Sequence, residues 1–228
     1  MSEMIEFLKG YEDYFGDWVW EMAIASLVTM ELMLLSFILA CALGLVIALM
    51  RISQFSVLSG LTKVYIGFFR GVPVLVILYW IYFAMPELGY KVLLISSFTA
   101  AVLGLGIHGS AFLAEVFRSG IEALDQGQME AALSLGMTPS RALRFIILPQ
   151  AARVVLPPMA NYSVGLLKET ALCSIIAVPE LMLRAKDVSS SSFLPMHAFV
   201  LAAVFYYIMS FPMMRLVEHL EAKMAVGQ

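Results

Sequence analysis

The sequence predicts an all-α integral membrane protein with about five membrane-spanning helices and a polar helical hairpin between the third and the fourth. Three observations predict it. Hydrophobic residues make up 61% of the 228 positions and charged residues 14%, where soluble domains run near roughly 45–50% and 25%. Apolar stretches of the length a bilayer demands, about 20 residues, recur five times. One stretch, residues 118–153, interrupts them with charge, glycine and proline. The net charge of −3, without any Lys/Arg run, excludes nucleic acid as a partner class. Cys41 and Cys173 sit in apolar stretches, where the expected role is a small buried hydrophobe. No CxxC, HExxH or Cys/His cluster offers a metal site.

The elements follow in order. In residues 1–20, Met4, Phe7 or Leu8, Tyr11, Phe15 and Trp18 recur at helical spacing between Glu3, Glu6, Glu12 and Asp13. This predicts an amphipathic segment lying on the membrane surface, and its acidity separates it from a signal peptide. A single transmembrane domain is expected over residues 21–218 and a tail over 219–228. Its spans are read at 22–50, at 64–85 with Gly71 and Pro73 breaking the early part, at 92–117, at 154–178 with Pro157 and Pro158 near its start, and at 196–217. The "SSSS" at 189–192 reads as loop. With the N-terminus outside, Arg51, Lys63, Arg118, Arg141, Arg144, Arg153, Arg215 and Lys223 fall on the cytoplasmic side. Only Lys9, Lys91, Arg184 and Lys186 fall outside, while Arg70 and Lys168 lie within spans. The excess of cytoplasmic Lys and Arg predicts N-terminus out, hairpin and C-terminus in.

In the hairpin, residues 128–150, two short helices are expected at 128–135 and 140–148. Gly136 supplies the turn because it tolerates positive φ. Thr138 or Ser140 can cap the second helix, with Pro139 near its first turn, where a missing N–H costs little. Leu133, Leu135, Met137, Leu143, Ile146 and Ile147 give the hairpin apolar surface to bury. On residue types alone it serves equally well as an amphipathic connector.

Glu130-Ala131-Ala132, three residues, Gly136, nine residues, then Ile146-Ile147-Leu148-Pro149 match the EAA pattern, EAA-x3-G-x9-I-x-LP, at every fixed position. In this the chain resembles the membrane subunits of bacterial ABC importers. "FFRGVPVLVILYWIYFAMP" at 68–86 is similar to the FRGTP segment of the polar amino acid permeases (the His/Glu/Gln/Arg/opine family), with Val72 where Thr is usual. "AEVFRSGIEALDQGQMEAALSLGM" at 114–137 and "GLLKETALCSII" at 165–176 are similar too. The resemblance runs over nearly the whole chain from about residue 20. It implies a type I ABC importer permease fold in the bacterial cytoplasmic (inner) membrane. It implies import of a polar amino acid or related zwitterion by alternating access. It also makes the hairpin a coupling helix docked on a cytoplasmic ATPase through Glu130, Ala131, Ala132, Gly136, Leu148 and Pro149. The partners it implies are a dimer of ATP-binding subunits, a second permease subunit (identical or homologous), an extracytoplasmic substrate-binding protein and membrane lipid. "GLGIHGSAFLAEVFRSGIE" and "NYSVGLLKET" resemble permeases for ectoine and hydroxyectoine within this family. From its own side the chain has no G-x4-G-K-S/T loop and no Gly-Lys pair. It is therefore not expected to be an enzyme or to hold a cofactor; ATP and Mg belong to the partner ATPase.

Ionisable residues within spans are costly and tend to be functional. Gly104, His108, Ala111 and Glu115 share one face of the third span, and Gly104, Gly106 and Gly109 permit close helix approach. In the fourth, Asn161, Gly165 and Lys168 share a face, with Glu169 about 100° round. The substrate-binding candidates are Glu115, Asn161, His108, Lys168 and Ser110. Glu115 and Asn161 lead, because the similar permeases line their path with these helices; a carboxylate at 115 favours a cationic or zwitterionic cargo. On the structural side, His108 can bond a backbone carbonyl, Lys168 and Glu169 can form ion pairs, and Arg70 reads as structural or gating. An intramembrane serine protease built on Ser110 and His108 is disfavoured, since the two point about 200° apart on a helix and no G-x-S-G elbow is present. A passive channel leaves the hairpin unexplained.

Overall fold

The computed structural model describes residues 15–87, 95–123 and 126–225, and among these every regular element is a helix. Four helices are long and apolar enough to cross a membrane, or five if one bent pair counts as a span.

Helix α1, Phe15–Arg51, is longer than expected at 37 residues. Residues 15–20, assigned above to a surface segment, are its first turns. Trp18 is 5% exposed and packs with Met22 against Leu181, Ala185 and Ala198, which holds those turns upright. Residues 1–14, the rest of the expected surface segment, lie outside the described residues.

The stretch expected as the second span is a bent pair. Helix α2, Ser56–Gly71, and helix α3, Val74–Tyr79, meet at Val72-Pro73 with their axes turned by 102°. Pro73 denies the residue before it the helical region, and Val72 is extended at φ −99° and ψ 131°. From α3 the chain passes through a π turn, Trp80–Ala84, into Met85–Glu87. At the other end, the Ser59 hydroxyl bonds both the Arg51 guanidinium at 2.9 Å and the Arg51 carbonyl at 3.1 Å, which pins α2 to the end of α1.

Helix α4, Ser97–Glu122, starts on Ser96, whose side chain accepts from the Thr99 N–H at 3.1 Å. It lies flush on α1. A Cβ at Gly44 would stand 3.0 Å from Leu113 Cβ and 3.1 Å from the Ser110 carbonyl, so a side chain there would push the two helices apart by a few tenths of an ångström.

The hairpin comprises α5, Gln126–Ser134, and α6, Pro139–Ala142. The expected separate second helix is not seen. Instead α6, a π turn at Leu143–Ile147, α7 at Leu148–Glu169 and a 3-10 turn at Thr170–Ile176 form one continuous helix, Pro139–Ile176, of 38 residues. Pro149 is the reason. It has no N–H and its ring crowds the preceding turn, which usually ends or kinks a helix. Here the Leu148 N–H reaches back five residues to the Leu143 carbonyl, and this wider turn admits the proline without a stop. Pro157 and Pro158 also lie inside α7. Thr138 stands at the N-cap position of α6, but its side chain makes no capping bond.

The "SSSS" stretch corrects another expectation. It forms the last turn of helix α8, Leu181–Ser192, and Ser191 and Ser192 return their hydroxyls to the Val188 carbonyl at 3.1 and 2.7 Å. Helix α9, Pro195–Ala225, closes the chain. The main core gathers Leu32, Leu78, Leu105, Leu166 and Ile176 from α1, α3, α4 and the long helix. A second cluster, built on Trp18, Leu181 and Leu201, ties α1, α8 and α9 at the end away from the hairpin.

Candidate coupling hairpin and transport face

The hairpin turn is set by its backbone. The Met137 N–H bonds the Ala132 carbonyl at 3.1 Å and the Gly136 N–H bonds the Leu133 carbonyl at 2.9 Å, with Gly136 at φ +79°. This is a Schellman termination with glycine in its left-handed position. The two arms meet on alanines: Ala132 is 5% exposed and Ala142 is fully buried. Ala132, expected at the docking contact, is buried at this seam. Glu130, Ala131, Leu148 and Pro149 are exposed. So are Leu135 at 85% and Phe145, whose ring carries the Arg144 guanidinium 5.6 Å from its centroid. Leu135 is thus an exposed apolar side chain at a turn fixed by its backbone bonds.

The α4 candidates turn inward or pair locally. Glu115 accepts from Arg118 Nε at 2.9 Å and Nη2 at 2.6 Å, and Arg118 also binds Glu122. Its charge is thus balanced one turn away by Arg118. Ser110 is fully buried; it donates to the Ile107 carbonyl at 2.7 Å and lies 2.7 Å from the Tyr65 hydroxyl, joining α4 to α2. His108 is half-buried with the Phe69 backbone beside it, and its Nδ1 is buried without a partner among the described residues. Gly109 is overlain by Tyr162, whose hydroxyl would stand 2.2 Å from an added Cβ.

The α7 candidates face outward together. Asn161, Gly165 and Lys168 are all exposed along one side of α7, beside α9. Two openings lie between these helices. One, of about 510 Å³, is lined by Lys168, Phe199, Tyr206, Tyr207, Ser210 and Met214. The other, of about 230 Å³, brings Asn161 beside Glu218 and Glu221. Lys168 has no ion-pair or hydrogen-bond partner among the described residues. An unpaired ammonium is costly in bare hydrocarbon, and this one opens onto the groove between α7 and α9.

The sequence reading missed Glu180 and Tyr206. Glu180, fully buried between the last two spans, caps α8: it accepts from the Met182 and Leu183 N–H groups, each at 2.8 Å, and from the Tyr206 hydroxyl at 2.9 Å. Burial pushes its carboxyl above the ordinary range, and these three bonds and the Lys186 charge pull the other way. The one signal for it was a carboxylate just before a helix-length run, where Asp would be commoner.

Comparisons with known proteins agree with this geometry. The family described as "Binding-protein-dependent transport system inner membrane component" matches residues 40–226. PatM of Vibrio harveyi, a probable amino-acid ABC transporter permease protein, is 40% identical over 179 residues, 78% of this chain and 80% of PatM. GlnP of Bacillus subtilis, a probable glutamine ABC transporter permease protein, is 34% identical over 224 residues, 96% of this chain and 99% of GlnP. Among solved structures, an amino acid ABC transporter with histidines superposes with a TM-score of 0.84 at 33% identity, covering 92% of this chain and 96% of that one. The MetNI methionine ABC transporter, at 20% identity and a TM-score of 0.62, shares the fold. The chain belongs to the binding-protein-dependent inner membrane transport family and is the permease subunit of a type I ABC importer.

Proposed function

We propose that this subunit forms half of the path for a polar amino acid or related zwitterion, driven by ATP hydrolysis on partner subunits and fed by a substrate-binding protein. The hairpin and the C-terminus face the cytoplasm and the N-terminus faces outward. Two permease copies, identical or homologous, enclose the path by alternating access. The observation that carries the reading is the exposed, unpartnered Lys168, on one face with Asn161 and opening onto a groove. An ammonium there suits the carboxylate that all such cargoes share, and the Asn161 amide can both donate and accept. Glu130, Ala131, Leu148 and Pro149 present the docking surface, Ala132 and Gly136 shape it, and His108 remains a candidate through its unsatisfied nitrogen. Ser110 and Glu115 act within the fold. The glutamine and amino-acid names of the relatives support the cargo class; the ectoine reading rests on sequence resemblance alone.

The test is uptake into proteoliposomes by the full complex with its binding protein, run with labelled amino acids and ectoine. Lys168→Met removes a charge-assisted bond of about 1.5–3 kcal/mol and so raises the KM for uptake roughly ten- to hundredfold. Basal ATP hydrolysis stays. An unchanged KM removes Lys168 from the path. For orientation, a cysteine at Ser190 reacts with an impermeant thiol reagent in intact cells and one at Ser140 does not; the reverse overturns the topology.

A further inference from the structure

Another opening lies along the bent pair and shares no lining residue with the two between α7 and α9. A groove of about 590 Å³ runs along α3, with Phe68 and Val72 at the elbow, Tyr79, Trp80 and Phe83 along its length and Glu87 at its end. Val76 within it is 52% exposed, and on the α2 face that leads to Phe68 the apolar Val57, Leu61 and Val64 are 72%, 61% and 72% exposed. Such a surface is at home against lipid tails, as the Lys168 face is not.

Within the groove the polar chemistry is confined to one end. Among the described residues Glu87 is the only charged one that lines it; it is exposed and has no ion-pair or hydrogen-bond partner among them. The rings of Tyr79 and Phe83 stack at 5.4 Å, Tyr82 meets Phe83 edge-on, and Trp80 is 48% exposed beside them. Tyrosine and tryptophan favour the interfacial level of a bilayer, which sets the Glu87 end among headgroups. From Val72 to Glu87 is about 22 Å at the helical rise. That is close to one leaflet with its headgroup layer, half of a total of about 40–45 Å.

We propose that this groove binds a phospholipid with an ammonium headgroup, phosphatidylethanolamine. The ammonium sits between the Glu87 carboxylate and the π faces of Trp80 and Phe83, as cations do over aromatic rings. One acyl chain lies along Val72 into the elbow at Phe68. Phosphatidylglycerol has no cation to offer Glu87 and sets its phosphate against a like charge.

The experiment uses the complete transport complex in nanodiscs of phosphatidylglycerol doped with a bromine-labelled lipid, either phosphatidylethanolamine or phosphatidylglycerol, at equal mole fraction. The signal of Trp80 is the fluorescence of the wild type minus that of Trp80→Phe. Labelled phosphatidylethanolamine should quench it about threefold more than labelled phosphatidylglycerol, the scale of one exposed cation–π contact. Glu87→Gln should make the two equal. As a second reading, phosphatidylethanolamine carried through purification from mixed membranes should fall in Glu87→Gln relative to wild type. Equal quenching by both lipids in the wild type would mean an ordinary lipid annulus, and no quenching by either would mean that protein covers the groove. Unchanged lipid carry-over in Glu87→Gln would likewise overturn the assignment. None of these outcomes depends on which cargo is transported.

Discussion

Gly136→Val isolates what the hairpin turn contributes. A Cβ at this position would meet nothing within 4 Å, so the cost of a side chain is not crowding. It is the backbone: φ is +79°, a region that costs an L-residue about 1–2 kcal/mol and a β-branched one up to about 3 kcal/mol. The chain can escape only by rotating away from that angle. It then loses the bonds from Met137 to Ala132 and from Gly136 to Leu133, and it opens the seam where Ala132 and Ala142 are buried. A penalty of about 2 kcal/mol lowers the population of docking-competent hairpins roughly thirtyfold. Asparagine tolerates the left-handed region, alanine less, valine least, so the loss should grow in that order. The assay is one preparation of each variant with its ATPase and binding protein, scored for copurification and for ATP hydrolysis stimulated by loaded binding protein. Membrane insertion and cargo binding by the binding protein should not change. If Gly136→Val is stimulated like the wild type, the turn is not a rigid coupling element. If Gly136→Asn fails as badly as Gly136→Val, the positive φ is not the cause.

Three further variants test the side-chain assignments. Glu180 has its carboxyl pKa raised by burial above the ordinary 4.5, so the folded state binds the proton more tightly than the unfolded one. Its stabilising contribution is present below about pH 4.5 and is lost as pH rises through the raised value. The unfolding temperature of Glu180→Gln should therefore gain on that of the wild type as pH climbs; a wild type that gains instead would show that the three bonds hold the carboxylate ionised. Ser110→Ala removes the 2.7 Å contact with Tyr65 and should destabilise the complex by about 1 kcal/mol in thermal unfolding with no change in uptake KM; a raised KM would return Ser110 to the substrate path. Glu115→Gln breaks an i,i+3 pair worth about 0.3–0.5 kcal/mol and leaves Arg118 with Glu122. Uptake of cationic and neutral amino acids should keep its ratio, and a shifted ratio would restore Glu115 as a reader of cargo charge.

The spans were legible because bilayer crossing is a local property: about 20 apolar residues suffice to signal it, wherever they end up packing. Gly136 was legible for the same reason, since a turn between two helices asks for one residue type. What depends on distant partners was not legible. Gly71 and Pro73 announce a break, but not its 102° angle nor that Tyr65 of α2 would meet Ser110 of α4. Pro149 reads as a helix stop, and only the Leu143–Ile147 π turn lets the helix run on. The serines at 189–192 read as loop because their hydroxyls' return to Val188 cannot be seen in composition. Glu115 was read from the face it shares with His108, and its pairing with Arg118, one turn further, was not part of that reading. Glu180 needed Tyr206, 26 residues away, to be recognised as a capped and buried acid.

The unbroken helix from Pro139 to Ile176 has a mechanical consequence. Its 38 residues make a lever of about 57 Å at the helical rise, and a tilt of about 5° at one tip displaces the other by about 5 Å. The lever is not uniformly stiff. Prolines 149, 157 and 158 each leave out a backbone hydrogen bond, so bending resistance is lowest between the hairpin and the turn that carries Asn161. Torque applied at the hairpin is delivered without an intervening loop to the segment bearing Lys168. The compliant stretch lets the two ends rotate by different amounts. On the proposed coupling role, this single helix would set the ratio between a movement at the hairpin and the displacement at Lys168, and each proline is a point where that ratio can be altered.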